Sequence, residues 1–307
     1  MDIELRSQVD VFNDTYTDMR KNFIFDGRKS NIMKALLSFT NDGGFDIDKV
    51  KEIRRYLLKN KIDIYNFKYR KILSMLVYDN SDYKKLLDIS KDVYDNLTIK
   101  GFNKNKITLC LAVMLAKNFK GDKLDKIIDK IKLSKESIRF VDSKYDILLA
   151  LNDKNVEDTH YEYELAKRGI ESVDTYTDNM SSLLALSIMM GDIDVNHKIE
   201  NAFALVCNIK GIINRISDES LIFIGIASLL IEDAEAFADE LKNIYVLINS
   251  KRDRFKLFKK DYNLYISLII LICKYIEEVK SGIIESKINN EYLDFIQDYV
   301  ICLMYFI

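Results

Sequence analysis

The chain contains no proline and no tryptophan, and its ten glycines are not gathered into any linker-like stretch. Missing proline removes the residue that most strongly breaks helix interiors. However, the abundance of Lys, Ile, Asn and Tyr indicates an A/T-rich coding genome, which depletes proline by itself. The absence is therefore compatible with a helical protein without establishing one. Because no proline-, glycine- or serine-rich linker interrupts the chain, we expect a single domain over residues 1–307.

Neither sign of charge predominates, because 46 Lys and Arg residues face 48 Asp and Glu residues, for a net charge of −2. This balance gives the whole chain no bulk attraction to nucleic acid or to anionic membranes. The longest apolar runs, residues 221–231 and 264–273, are shorter than the ~20 residues that a membrane-spanning helix needs. The sequence opens Met1-Asp2-Ile3-Glu4, without the apolar core of a secretory signal. We therefore expect a cytoplasmic protein without membrane contact.

Cysteine is scarce, and no two cysteines form a C-x-x-C pair. All four lie in apolar segments of helical character: Cys110, Cys207, Cys273 and Cys302. This pattern predicts buried thiols that stay reduced, as in a reducing cytoplasm.

The feature that is present in abundance is a short apolar stretch that recurs every 36 to 42 residues. A period of this size is typical of stacked helix pairs, each too small to bury its own apolar face. The copies are residues 35–39, 72–76, 110–114, 147–151, 183–187, 224–228 and 266–270.

Each copy follows one plan, in which a short helix that is apolar nearly all round leads to an Asp, Asn or Gly cluster and then to an amphipathic helix. Alternation of period two, the signal of a strand, holds nowhere for long. The sequence therefore predicts an all-α protein, an α-solenoid (α-α superhelix) of about seven helix pairs over residues 30–289. An apolar stripe from Val9 to Phe23 predicts an N-terminal cap helix within residues 1–29.

The last segment, residues 290–307, is dense in apolar residues, whereas a terminal solenoid helix normally has a polar outer face. The first interpretation is a C-terminal helix that packs onto the last repeats. A homodimer contact is the second interpretation. Membrane contact is the third, although the segment is too short to span a bilayer.

Only two histidines occur, and they fall thirteen and fourteen residues beyond their repeat anchors. Stacking could place them on neighbouring repeats at similar height, where carboxylates would complete a divalent-metal site. The weak candidate ligands are His160, His197, Asp194 and Glu164. The alternative is that these residues simply occupy acidic helix N-termini, which the helix dipole favours.

A basic and aromatic stretch is the other candidate site, and it contains Lys251, Arg252, Arg254, Lys256, Lys259 and Lys260. With the segment Phe67-Lys68-Tyr69-Arg70, it could bind phosphate backbones and stack bases. The alternative is a solvated connection after a helix whose start is acidic.

No pattern for a catalytic nucleophile, a phosphate-binding glycine loop or a zinc-binding H-E-x-x-H helix occurs. We therefore predict no catalytic residue and no cofactor.

Several segments resemble an uncharacterised Gram-positive bacterial family, the domain of unknown function 4003 proteins. They are the Gly101-Phe102 turn, the Thr108–Ala116 helix, the run Asp142–Ala150 and the Leu186-Ser187 step. The resemblance covers roughly residues 10–280. Members of the family often have His after the Leu-Ser step, where this chain has Ile188. The family implies no activity, substrate or cofactor.

The leading functional hypothesis is a non-catalytic scaffold or regulator that binds a protein or peptide along the curved surface of its repeats. The alternatives are contact with nucleic acid and, third, an enzyme with a site inside the superhelix.

Overall fold

The structure is a computed structural model, which describes residues 3–39, 46–59, 67–137, 145–173, 176–213, 216–250 and 260–306. Within these residues the chain is all-helical, as predicted, and the only other regular backbone pairing is an isolated bridge between Gly191 and Ile288. The described residues include 3-10 helices at Ile24–Asp26, Asp146–Ala150 and Asn290–Tyr292. The described α-helices are α1 (Ile3–Asn22), α2 (Arg28–Phe39), α3 (Ile47–Lys59), α4 (Phe67–Leu76), α5 (Tyr83–Ile99), α6 (Lys106–Asn118), α7 (Asp122–Ser137), α8 (Val156–Val173), α9 (Asp178–Ile188), α10 (Val195–Ile212), α11 (Asp218–Ser228), α12 (Ala234–Ser250), α13 (Lys260–Lys280) and α14 (Leu293–Phe306).

The chain divides into two compact units. We call residues 10–126 with 294–307 the terminal unit, and residues 1–9 with 127–293 the central unit. The expectation of a single domain stays a prediction.

In the terminal unit, the helices that carry the first three apolar stretches pack in sequence order. Helix α2 contacts α4, and α4 contacts α6. The amphipathic helices lie beside them, with α3 against α4 and α5 against α6. Helix α6 is buried on all sides from Thr108 to Ala116, because its sequence offers no polar face there.

Helix α14 belongs to the terminal unit from Asp294 onwards, and the expectation that it packs onto the last repeats stays a prediction. Its Phe295 ring lies 5.5 Å from that of Phe119, at the end of α6. Both Phe295 and Tyr299 are fully buried. The apolar surface that suggested a homodimer or membrane contact is thus covered within one chain, and a homodimer stays an untested prediction.

The central unit shows two parallel series of contacts. Helices α8, α10 and α12 pack in order, and so do α9, α11 and α13. The approach of α9 to α11 is close, because a Cβ added to Gly225 would lie 1.8 Å from the Oγ of Ser187. A glycine is therefore required where these two helices meet.

Two local expectations differ from the structure. The fourth apolar stretch forms a 3-10 helix, Asp146–Ala150, where an α-helix was expected. Cys207 is exposed, whereas the other three cysteines are buried as predicted. Cys207 lies on α10, on the side opposite to buried neighbours such as Leu205 and Ile209.

The Asp and Asn clusters begin the helices that follow them, as predicted. The carboxylate of Asp82 accepts a hydrogen bond of 3.2 Å from the backbone N–H of Lys85 at the start of α5. Asp233 accepts one of 2.9 Å from Glu235 before α12. Such caps satisfy N–H groups that have no partner within the helix. None of the described helices has a stretch that is both long and apolar enough to cross a bilayer.

A buried ionic cluster fixes the turn between α1 and α2. The carboxylate of Asp26 contacts the ammonium of Lys34, lies 2.5 Å from the Arg54 guanidinium and 3.5 Å from the Lys71 ammonium. The ring of Phe23 covers the cluster, with the Lys34 Nζ 4.1 Å and the Arg54 Cζ 4.6 Å from its centroid. Three cations thus share one carboxylate, which leaves the cluster with excess positive charge.

Candidate functional site

A pocket of about 330 Å³ opens in the terminal unit between α5, the end of α6 and the start of α7. Its floor is apolar and its rim is polar. The lining residues are Asn80, Asp82, Lys85, Leu86, Ile89, Ala116, Lys117, Phe119, Lys120, Gly121 and Leu124.

The floor follows from the spacing of residues on α5. Leu86 and Ile89 lie one helical turn apart and so share a face, which looks towards Phe119 and Leu124 across the pocket. Leu86 and Phe119 are almost fully buried, whereas Ile89 is 38% exposed. Ile89 is therefore an apolar side chain of the pocket that a ligand can still cover.

The rim is cationic, and one of its lysines is held firmly. The ammonium of Lys117 lies 2.8 Å from the carboxylate of Asp79 and 3.1 Å from that of Asp298. Burial lowers the pKa of Lys117, but the charges of Asp298 and Asp79 outweigh it and raise that pKa above its ordinary value. Asn118 also donates a hydrogen bond of 3.2 Å to Asp298. Lys117 thus stays charged and bridges α14 to the wall of the pocket.

The other two lysines of the rim, Lys85 and Lys120, are exposed. The acid of the rim, Asp82, already caps α5. The pocket therefore combines an apolar floor with two ammonium groups that face solvent. This arrangement suits a ligand with one apolar side chain and a nearby carboxylate.

A second cavity, of about 550 Å³, lies in the central unit, and most of the residues that line it are polar or charged. Asp192, Glu232 and Glu285 line it, and burial together with the charge of Asp153 raises the pKa of Asp192. Its cation, Lys287, donates a hydrogen bond of 2.7 Å to the carbonyl of Ile231. This second cavity lacks the apolar floor and the lysine-lined rim of the first pocket. The first pocket is therefore the better candidate for a peptide site.

The histidines and acids suggested as metal ligands occupy ordinary helical positions. His197 is exposed, with Nδ1 3.2 Å from a Glu200 carboxylate oxygen. Asp194 caps α10 by accepting a hydrogen bond of 2.9 Å from Asn196. His160 and Glu164 are half-buried on α8. Within the described residues, no three His, Cys, Asp or Glu side chains lie close enough together to hold a metal ion.

The basic stretch of the nucleic-acid hypothesis lies outside the described residues from Lys251 to Lys259, and Lys260 begins α13. The second segment of that hypothesis, Phe67-Lys68-Tyr69-Arg70, begins α4. Lys71, which follows it, is part of the ionic cluster around Asp26.

Sequence reasoning missed the pocket, although one local signal existed. Lys120-Gly121-Asp122 is a helix break with a cation beside it, but neither the gap between helices nor the Lys117–Asp298 pair is visible in a periodic pattern. That pair joins residues 181 positions apart.

The sequence was also compared with known proteins. No curated protein and no solved structure matches the chain significantly. A family described as "protein of unknown function (DUF4003)" matches residues 15–298. Because this match covers nearly the whole chain, the protein belongs to the DUF4003 family.

Proposed function

We propose that the protein is a non-catalytic, cytoplasmic helical-repeat scaffold or regulator that binds a peptide segment of a partner protein. The observation that carries the proposal is the pocket between α5, α6 and α7, with its apolar floor and cationic rim. A pocket of this size lies at the lower end of the range of ligand sites and has room for one large side chain.

The proposed architecture is the α-solenoid that the sequence period predicts. Its support is the order of contacts within each unit, where every first helix of a pair packs on the first helix of the next pair. Such stacking creates extended surfaces along which peptides bind.

The chemistry of the pocket favours an acidic peptide with an aliphatic or aromatic anchor. The anchor would lie on Ile89, Phe119 and Leu124, and a flanking Asp or Glu would meet the ammonium groups of Lys85 and Lys120. Burial of one such side chain contributes about 1.5–3 kcal/mol, which is enough for a weak regulatory contact when neighbouring residues add to it.

A random-peptide phage library, selected on the wild-type protein and counter-selected on Ile89→Asp protein, tests this proposal. We expect enriched peptides to carry Leu, Ile or Phe beside Asp or Glu. Fluorescence polarisation of a synthetic enriched peptide should then show binding at least about tenfold weaker to Ile89→Asp protein, since a buried charge opposes the apolar anchor.

Matched controls lie on the same helix. Ile99→Asp alters a side chain that is 84% exposed at the end of α5, and Lys91→Glu reverses an exposed charge away from the pocket. Both should bind the peptide like wild type, whereas Lys85→Glu with Lys120→Glu should weaken binding and reduce its dependence on salt. If no peptide is enriched on wild type over Ile89→Asp protein, the pocket is not a peptide site.

A further inference from the structure

The turn between α1 and α2 presents two adjacent apolar side chains to solvent. Ile24 is 71% exposed and Phe25 is 91% exposed. Phe25 is the most exposed of the large hydrophobic residues in the described chain. Isolated exposed apolar residues are ordinary on protein surfaces, but two neighbours at the tip of one turn form a small apolar projection.

The projection is held by the structure around it. The residues on either side, Phe23 and Asp26, have buried side chains, and Asp26 is the centre of the ionic cluster. The ammonium of Lys71 also donates a hydrogen bond of 2.5 Å to the carbonyl oxygen of Phe25. Gly27 closes the turn at φ +81°, a conformation that L-residues with a side chain rarely adopt. The outward direction of Ile24 and Phe25 is therefore fixed from both sides.

Positive charge surrounds this apolar tip. Among the charged residues of positions 18–29 and the partly exposed cations of the ionic cluster, six are cations and two are carboxylates, Asp18 and Asp26. The Asp26 carboxylate is buried beneath the turn. The cations are Arg20, Lys21, Arg28, Lys29, Arg54 and Lys71, whereas the Lys34 side chain is fully buried. The local field is thus positive although the whole chain carries a charge of −2.

We propose that this turn is a peripheral membrane contact, in which Ile24 and Phe25 enter the interfacial layer of an anionic bilayer while the surrounding cations meet the lipid headgroups. A fluid lipid layer accepts a projecting apolar group without a matching cavity, and anionic headgroups complement the surrounding cations. The proposal revises the expectation of no membrane contact, which depended on net charge and on the absence of a spanning segment. It is independent of the peptide pocket, whose residues are not part of the turn.

The absence of tryptophan allows a direct test, because Phe25→Trp introduces a single fluorescent reporter at the tip. The probes are vesicles of phosphatidylcholine alone and of an equimolar mixture with anionic phosphatidylglycerol. We expect the Trp emission to shift to shorter wavelength, and to become protected from aqueous quenchers, with the anionic vesicles only. Ile99→Trp, on an exposed side chain of α5, is the matched control and should show neither change.

Co-sedimentation with the same vesicles supplies the second readout. Ile24→Ser with Phe25→Ser should lower the apparent affinity for anionic vesicles at least about tenfold, and so should a rise in salt, because neither hydrophobic nor electrostatic attraction suffices alone. Ile99→Ser should sediment like wild type. Both exposed positions tolerate serine without loss of core packing, and circular dichroism checks this.

Three results would overturn the proposal: no sedimentation with either vesicle, equal sedimentation with both, or binding that the double serine variant leaves unchanged. The first of these, with an unshifted Phe25→Trp emission, would assign the apolar tip to a protein partner instead of a lipid surface.

Discussion

Lys34 gives the sharpest prediction about stability, because its ammonium is fully buried beside two other cations. Burial lowers its pKa to about 7, and repulsion from Arg54 and Lys71 acts in the same direction. The contact with Asp26 and a hydrogen bond of 3.0 Å to Asn31 act in the opposite direction, since both favour the protonated amine. Because three cations share one carboxylate, we expect the lowering to prevail.

The sign and size of the effect follow from the difference in proton binding. In the unfolded chain the lysine has its ordinary pKa of 10.5, so between about pH 7 and that value the unfolded chain binds a proton that the folded chain does not. The free energy of unfolding therefore rises with pH in this window, by up to about 1.4 kcal/mol per pH unit. From pH 7 to pH 9 the rise is about 2 kcal/mol, whereas below pH 6 Lys34 adds almost no slope.

Urea denaturation of wild type and of Lys34→Met, at matched pH values from 6 to 9, measures this rise. The difference between the two proteins isolates Lys34, because Lys130, whose pKa burial lowers to about 8, contributes equally to both. We expect wild type to gain about 2 kcal/mol relative to Lys34→Met over the upper part of the range. A flat difference from pH 6 to 9 would refute the lowered pKa, because it would mean that the ion pair with Asp26 keeps Lys34 protonated in the folded chain throughout this range.

Four further predictions concern helix packing, an ion pair and the access of a thiol. Gly225→Ala should destabilise the protein by about 1–3 kcal/mol in thermal or urea denaturation, because its Cβ would meet the Ser187 side chain, and Ser187→Gly should restore most of the loss. Gly211 is a helical glycine whose added Cβ would meet nothing within 4 Å, so Gly211→Ala should raise the free energy of unfolding by about 0.5–1 kcal/mol. Equal losses of stability at both glycines would contradict the close approach of α9 and α11. Asp298→Ala should lower the free energy of unfolding by about 1–3 kcal/mol, since Lys117 keeps Asp79 but loses its second carboxylate and Asn118 loses its acceptor; a neutral result would contradict that pairing. In the native protein, a thiol reagent should modify only Cys207 rapidly, and fast reaction of a second thiol would contradict the burial of the others.

The helices were predictable where the signal is local. All seven recurring apolar stretches lie in helices, because a run that is apolar all round identifies a covered helix without knowledge of its neighbours. The exception is the fourth stretch, which forms the short 3-10 helix Asp146–Ala150. Asn152 follows it closely, and the Asn152 side chain forms hydrogen bonds with the backbone of Leu149 and of Lys154. A run this short has little capacity to nucleate a regular α-helix.

The pocket and the ionic cluster were not predictable, because both depend on residues far apart in the chain. Lys34 lies in an otherwise apolar run from Ile32 to Leu37, a signal of a buried charge, but the pattern does not identify Asp26 and Arg54 as its partners. The sequence period likewise identified no partner for the apolar segment that forms α14. Periodicity identifies the face that is buried, and only the folded chain shows what covers it.

The position of α14 has a consequence for how the protein is made. Its Phe295 and Asp298 complete a core whose other members come from residues 10–126. During synthesis, more than half of the chain is translated after residue 126 before α14 can pack onto this core. Helices α2 to α6 therefore spend this interval with apolar surface open to water, when chaperones or aggregation compete with folding.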